Sequence, residues 1–240
     1  MKLVHISDLH VKAIPRDNEN VRAKLAGVRT MLGPGDSVVL TGDVTDDGLE
    51  RQYENALELL RQFKGRIIMC PGNHDFGLMG SFYREDSAKH WAKLCEKLEV
   101  RPVTNLHIAG FQTGRTLALN TCVRKGSPVD FAQGKVGFFQ LRQLKKFLEQ
   151  CHRERLTSVV LLHHNPYYSE WYCRLQDAKK FFDTILGKAD YVLVGHEHKA
   201  RHSWYPMKEV ESKALTHMYA ADALYKDDAH PTVISLRENP

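Results

Sequence analysis

The stretch LVHISDLHV closes an apolar run with Asp8 and His10, two residues apart. If the strand continued through them, alternation would send both side chains to one face at its carboxyl end, where open α/β sheets build their sites. Alone, the pair is as well explained by a strand running out into water. Four more segments follow the same plan. TGDVTD supplies Asp43, PGNHD supplies Asn73, His74 and Asp75, LLHHNP supplies His163 and His164, and GHEH supplies His196 and His198. Each follows an apolar stretch, and strands of one sheet bring their carboxyl ends to one edge. Gly42, Gly72 and Gly195 precede the polar residues, as expected where the backbone turns sharply or passes close to a ligand. Taken together, the aspartates, the asparagine and the histidines offer enough oxygen and nitrogen donors for two divalent ions. Cysteine takes no part, so carboxylate and imidazole suit manganese, iron, zinc or cobalt better than a thiolate-seeking metal.

Positioning such a set requires strands that alternate with helices. KLVHIS, SVVLTG, RIIMCPG, LALNT, SVVLLHH and YVLVGHEH are short, rich in β-branched residues and end in polar groups, so they read as strands. Between them, Leu49, Tyr53, Leu57, Leu60 and Phe63 form one helical stripe, and Phe138, Leu141, Leu144 and Leu148 form another. Arg142, Lys145 and Lys146 lie off the second stripe and read as a solvated helix face rather than a nucleic-acid patch. After residue 198, RHSWYP, ALTHMYAA and TVISL look like strands without intervening helices. They are expected to form an antiparallel addition that completes a second sheet.

The 240 residues fit one large α/β domain spanning 1–240, with no repeat, low-complexity tract or linker to divide it. A formal charge of +5 without a block of like charge is compatible with an anionic substrate and does not resemble a nucleic-acid arm. The five cysteines are odd in number and lack a Cys-x-x-Cys pair, which argues for reduced thiols over a disulfide framework or a zinc knuckle. His5 and Asp8 interrupt the apolar start a signal peptide needs, and no later run reaches the ~18 residues of a membrane span. A soluble cytoplasmic protein is expected.

These motifs, in this order, resemble those of the calcineurin-like metallophosphoesterases: Asp-x-His, Gly-Asp, Gly-Asn-His-Asp or Glu, His, and Gly-His-x-His. The resemblance covers the whole chain. GKVGFFQLRQLKKFLEQ is similar to the family's helix between the third and fourth motifs, and LLHHNP to the His-His-Pro-Pro stretch of its class III cyclic nucleotide phosphodiesterase branch, although Asn165 replaces a proline. The resemblance implies a four-layer α/β/β/α sandwich of two mixed sheets with flanking helices. It also implies two divalent ions (Mn2+, Fe2+/Fe3+ or Zn2+). One would be held by Asp8, His10, Asp43 and His198, the other by Asp43, Asn73, His163 and His196, with Asp43 as the bridge. His163 is preferred to His164 because it ends the strand and matches the family's first position. His74 would act as general acid or phosphate binder, oriented by Asp75.

Two dications less the carboxylates of Asp8 and Asp43 leave a pocket near +2, which matches a phosphodiester anion plus one hydroxide. Ions roughly 3.5–4 Å apart lower the pKa of a shared water and neutralise charge on the phosphoryl oxygens. Phosphoester hydrolysis is therefore the expected reaction, with a phosphodiester as partner, a nucleotide among the candidates, and nucleic acid only as substrate. A phosphomonoesterase with the same ligands and a non-catalytic metal scaffold are the competing classes. Tyr167, Tyr168 and Trp171 either line the pocket or form a local packing cluster.

Overall fold

The computed structural model describes residues 1–78, 80–108, 111–123, 132–167, 173–206 and 215–236. The chain runs β1 (Lys2–Ile6), α1 (Glu19–Thr30), β2 (Ser37–Thr41), α2 (Glu50–Leu60) and β3 (Ile67–Cys70). A small hairpin, β4 (Gly77–Leu78) and β5 (Phe82–Tyr83), leads to α3 (Ser87–Leu98) and a second hairpin, β6 (Val103–Ile108) and β7 (Phe111–Ala118). Then come α4 (Gly137–Arg153), β8 (Thr157–Leu161), α5 (Ala178–Ile185), β9 (Tyr191–Val194), β10 (Arg201–Pro206), β11 (Leu215–Ala220) and β12 (Thr232–Ser235).

Two mixed sheets result. The first has the order β12-β1-β2-β3 and the second β10-β11-β9-β8-β7-β6. Strands β1, β2 and β3 are almost uniformly apolar because both of their faces are covered. On the outer side of the first sheet, Val21, Leu25 and Val28 of α1, Tyr53, Ala56 and Leu60 of α2 and Leu94 and Leu98 of α3 form one core. On the outer side of the second, Leu144, Phe147, Leu148 and Cys151 of α4 pack with Phe181 and Ile185 of α5. Leu3, Val39, Ile68, Val159, Leu161 and Leu193 fill the space between the sheets. The layers are therefore helix, sheet, sheet, helix, as the family resemblance implied. No helix among the described residues is long and apolar enough to cross a membrane.

Three expectations change. The last strands do not all join the second sheet. β11 pairs parallel to β9 and antiparallel to β10, whereas β12 pairs antiparallel to β1, with Lys2 opposite Ser235, and closes the first sheet. Alternation alone identifies a strand without saying which free edge it will reach. Helices α1, α3 and α5 lie outside the two stripes read from the sequence; only α5, with 8 residues, is shorter than α2. Finally, Phe138 does not belong to the packing stripe of α4. It is 73% exposed, while Phe147 in the same helix is 7% exposed. The helix begins at Gly137, and its first turn projects beyond the sheet it covers further along.

This difference is measurable. Phe147→Ala should cost about 3–5 kcal/mol in urea unfolding through lost burial and a residual cavity, whereas Phe138→Ala should change stability by no more than about 0.5 kcal/mol.

Candidate metal centre

The donors gather in the gap between the two sheets, just past the strand ends. Strand β1 stops at Ile6 and β2 at Thr41, yet the segments beyond them stay aligned: the Asp8 amide donates to the Gly42 carbonyl, His10 to Asp43 and Val11 to Val44, each at 3.0 Å. The expected strand alternation is not what places the side chains. Asp8, His10, Asp43, His196 and His198 all adopt left-handed backbone, with φ of 53°, 46°, 49°, 70° and 53°. Asn, Asp and His are the side chains that tolerate this region best, at a cost on the order of 1 kcal/mol each. The left-handed residues turn their side chains inward toward the opposite sheet. Glycine is required beside them: a Cβ on Gly42, which has φ 93°, would press on the His163 ring, and one on Gly72 would collide with the Asp43 carboxylate.

Besides the trio His10, Asp46 and His74, two donor groups lie here. Asp8, His10, Asp43 and His198 each place one donor atom within 4.8 Å of the others, and so do Asp43, His163 and His196. Asp43 belongs to both. In the first group, His198 Nε2 is 3.0 Å from Asp8 Oδ1, and His10 Nε2 lies 4.0 Å from Asp8 and 3.8 Å from Asp43 Oδ2. In the second, His163 Nε2 is 3.2 Å from Asp43 Oδ2, 3.1 Å from Asn73 Oδ1 and 3.0 Å from His196 Nδ1. Donors bound at about 2.0–2.2 Å to one ion sit roughly 3 Å from their neighbours, so this spacing suits a divalent cation. The buried Nε2 of His10 has no hydrogen-bond partner and lies between the two carboxylates. These residues fit a pair of divalent ions.

Their neighbours fix the orientation. His163 Nδ1 donates to the Thr41 carbonyl at 2.7 Å, which leaves Nε2 facing the donors, and His10 Nδ1 donates to Asp46 Oδ1 at 3.1 Å. Asn73 Nδ2 donates to the Gly80 carbonyl at 3.3 Å, turning Oδ1 toward His163. Each carboxylate also accepts a backbone amide, Asp43 from His74 at 2.9 Å and Asp8 from His196 at 3.3 Å. Burial alone would raise the Asp43 carboxyl, but His163 and His74 beside it hold it well below the usual carboxylate range. Burial likewise opposes ionisation of Asp8, and the His198 contact and nearby His163 overcome it. His163 responds in kind: burial favours its neutral form, yet Asp43 and Asp8 raise it to about 9. Burial and the adjacent His163 push His196 down to about 3. Carboxylates facing imidazoles in a buried space draw positive charge, as protons or as metal.

His164, the alternative to His163, belongs to neither donor group: its Nδ1 lies 2.7 Å from Thr121 Oγ1 and its ring packs 4.8 Å from that of His196. His74 is half-buried and stacks edge-on against His10 at 4.6 Å between ring centroids. Asp75 does not take the part expected of it. It is fully buried and accepts hydrogen bonds from Thr45 N at 2.9 Å, Thr45 Oγ1 at 3.2 Å and Gly72 N at 2.9 Å, while His74 Nδ1 donates instead to the Asp46 carbonyl at 2.7 Å. Burial and neighbouring Asp43 lift its pKa to about 7 despite those donors. Asp75 ties the second and third loops together. Tyr167 lies 4.4 Å from the Phe182 ring, a packing contact, and Tyr168 and Trp171 lie outside the described residues.

Two participants escaped the sequence reading. Asp46 follows Asp43 by three residues, and its side chain holds His10 and Lys12, at 3.1 and 2.5 Å. Its position in TGDVTD was the only signal. Tyr225 arrives from a loop far along the chain, where its ring sits 5.0 Å from His10 and 5.7 Å from His198, edge-on to both. No spacing pointed to it.

A two-sheet sandwich that concentrates carboxylates and imidazoles at the strand ends between its layers is the arrangement the resemblance to the calcineurin-like phosphoesterases implied. The chain belongs to the calcineurin-like phosphoesterase family, whose pattern matches residues 1–200. It is 27% identical over 213 residues to the 3′,5′-cyclic adenosine monophosphate phosphodiesterase CpdA of Escherichia coli strain K12, covering 83% of this chain and 70% of that protein. It is 26% identical over 173 residues to a probable cyclic nucleotide phosphodiesterase of Coxiella burnetii, covering 69% of this chain but only 60% of the relative's length. A probable glycerophosphodiester phosphodiesterase GpdQ of Arcobacter nitrofigilis is 23% identical over 242 residues, 95% of this chain and 82% of the relative. Among solved structures, a dimetal phosphatase from Danio rerio superposes with a TM-score of 0.61 over 94% of this chain and 88% of that one, at 12% identity. That likeness concerns the fold.

Asp75→Ala should leave the Thr45 and Gly72 amides buried without an acceptor and cost about 2–4 kcal/mol in urea unfolding. Asp75→Asn, which keeps one acceptor, should cost less. A side chain that merely oriented His74 would alter rate and leave stability unchanged.

Proposed function

We propose that the chain is a metal-dependent phosphodiesterase whose two divalent ions share Asp43. The observation that carries this reading is the pair of donor groups with one carboxylate in common. Asp8, His10, Asp43 and His198 would hold one ion, and Asp43, Asn73, His163 and His196 the other. Manganese, iron and zinc suit this mixture of oxygen and imidazole nitrogen. Bound there, such a pair supplies Lewis acidity toward phosphoryl oxygens and lowers the pKa of water enough to make a nucleophile at neutral pH.

The chain's own residues set the rest. Thr41 and Asp46 hold the Nδ1 protons of His163 and His10, so each imidazole offers a lone pair at Nε2. His74, its Nδ1 engaged by the Asp46 carbonyl, keeps Nε2 for the substrate. From the half-buried mouth it would protonate the departing alkoxide. A site near +2 balances a diester anion with its nucleophile better than a dianionic monoester. The names of the relatives point the same way, toward cyclic nucleotides or glycerophosphodiesters as substrates. The deciding experiment compares bis-p-nitrophenyl phosphate with p-nitrophenyl phosphate after metal loading. A higher kcat/KM for the monoester would assign the site to a phosphatase.

Elemental analysis of the loaded protein should find two ions per chain, and chelation should abolish hydrolysis. A single ion in fully active enzyme would overturn the paired site. Asp43→Asn should reduce the content of both ions, whereas Asn73→Ala should weaken only one, because the shared carboxylate supplies charge to both.

His74→Ala separates acid catalysis from metal binding. A general acid contributes about 10²–10⁴-fold when the leaving group is a poor anion and little when it is nitrophenolate. The variant should retain both ions and most activity on a nitrophenyl diester, while losing most of its rate on an alkyl or ribosyl diester. Equal losses on both, with metal intact, would make His74 a phosphoryl-binding group.

A further inference from the structure

The positive charge of this chain is not spread evenly over its surface. Residues 137–155 and 178–188, which comprise α4, α5 and the turns that follow them, carry eight exposed Lys and Arg against three exposed acids. That excess of five equals the formal charge of the entire chain. All three acids already hold a cation: Glu149 faces Lys145 at 3.9 Å, Asp183 faces Lys179 at 2.9 Å, and Glu154 faces Arg115 at 3.4 Å. Among the described residues, Arg142, Lys146, Arg153, Arg155, Lys180 and Lys188 remain outside any ion pair.

The same face carries two phenylalanines that no core uses. Phe138 and Phe139 are 73% and 80% exposed, with ring centroids 5.8 Å apart and edge-on to one another. Asp177 fixes their position by accepting the amides of Val136 and Gly137 at 3.0 and 2.8 Å, which anchors the start of α4. Arg142 follows the pair by four and three residues, Lys145 and Lys146 follow Arg142 by three and four, and Arg153 lies two turns beyond Lys146, so aromatic tips and cations share one outward stripe. The stripe is about 21 Å long from Phe139 to Arg153.

We propose that this face docks on an anionic membrane surface, with Phe138 and Phe139 entering the interfacial layer and the lysines and arginines meeting lipid phosphates. Charge selects the occupant. A second copy of the chain would bring like charge against like charge, whereas an anionic bilayer complements the whole excess at once. The aromatic pair decides between polyanions: exposed rings beside a cationic stripe are the signature of interfacial binding, and contact with duplex phosphates gives them nothing to bury. Because α4 starts on the side of the sheet where the strands deliver the metal centre, docking would hold the site's mouth close to the bilayer.

The test is co-sedimentation with vesicles of phosphatidylcholine alone and of phosphatidylcholine mixed with phosphatidylglycerol, using the full chain. The protein should pellet with the mixed vesicles at low salt, stay in solution with the neutral ones, and be released as salt is raised. Phe138→Ser with Phe139→Ser should weaken binding about tenfold or more, and Lys145→Glu with Lys146→Glu should abolish it. Both double variants should keep the parent's thermal unfolding midpoint and its hydrolysis of a soluble nitrophenyl diester, since neither touches the metal centre. Failure of the parent to pellet with anionic vesicles at low salt overturns the proposal. So does full binding by the phenylalanine variant together with equally tight binding to duplex DNA, which would assign the face to nucleic acid.

Discussion

Asp8 and Asp43 lie between the sheets with 0% and 1% of their surface exposed, and their negative charge governs what surrounds them. Moving one carboxylate out of water costs several kcal/mol unless partners make up the loss. Here the partners are close: a backbone amide on each, His198 on Asp8, His163 on Asp43, and His10 between them. The imidazoles are in turn fixed by neutral or acidic acceptors on their far nitrogens, the Thr41 carbonyl and the Asp46 carboxylate. A protonated His163 is one way to balance the site, and a divalent cation is a stronger one. The same low-dielectric gap that penalises the bare carboxylates favours whichever cation fills it.

Backbone strain is the second cost of this arrangement. Five of the donor residues sit in left-handed conformation, a region the side chains of ordinary core residues avoid. Strands β1, β2 and β9 are unstrained and buried over Leu3–Ile6, Val38–Thr41 and Tyr191–Val194, and the strained donors beyond β1 and β2 alternate with the buried Leu9, Val11 and Val44 of the core. The parallel pairing of the loops beyond β1 and β2 keeps these turns rigid, and Asp75 locks the next loop to them through Thr45 and Gly72. Rigid packing below the site holds strained turns within it.

The donor types and the strand ends that present them were legible in the sequence because the apolar runs are short, β-branched and abruptly terminated. The family resemblance then grouped those donors. Asp8 with His10 and His196 with His198 reach a common space, although left-handed turns rather than strand alternation bring them there. What could not be read depends on tertiary contact. Nothing local distinguishes Asp75, which serves two backbone loops, from a residue that orients its neighbour. Tyr225 reaches the site because Leu224 and Tyr225 donate to the carbonyls of Ser7 and Asp8 across more than two hundred residues of chain. The destination of β12 and the exposure of Phe138 were likewise decided by which edges and surfaces other elements left free.

The division of labour between the sheets ties the site to the fold. Both carboxylates, His10 and Asn73 come from loops of the first sheet, and His163, His196 and His198 from loops of the second. Neither sheet alone assembles either donor group. The first would leave Asp8 and Asp43 with His10 but without His198 and His163, and the second three imidazoles with no carboxylate facing them. Packing Leu3, Val39 and Ile68 against Val159, Leu161 and Leu193 therefore brings opposite partial sets together at the same moment that it buries apolar surface. Any cation that binds the joined set adds its binding free energy to the contact between the sheets, because it has little affinity for either half apart. In this molecule the inter-sheet core and the polar centre above it are one interface, apolar at its base and ionic at its mouth.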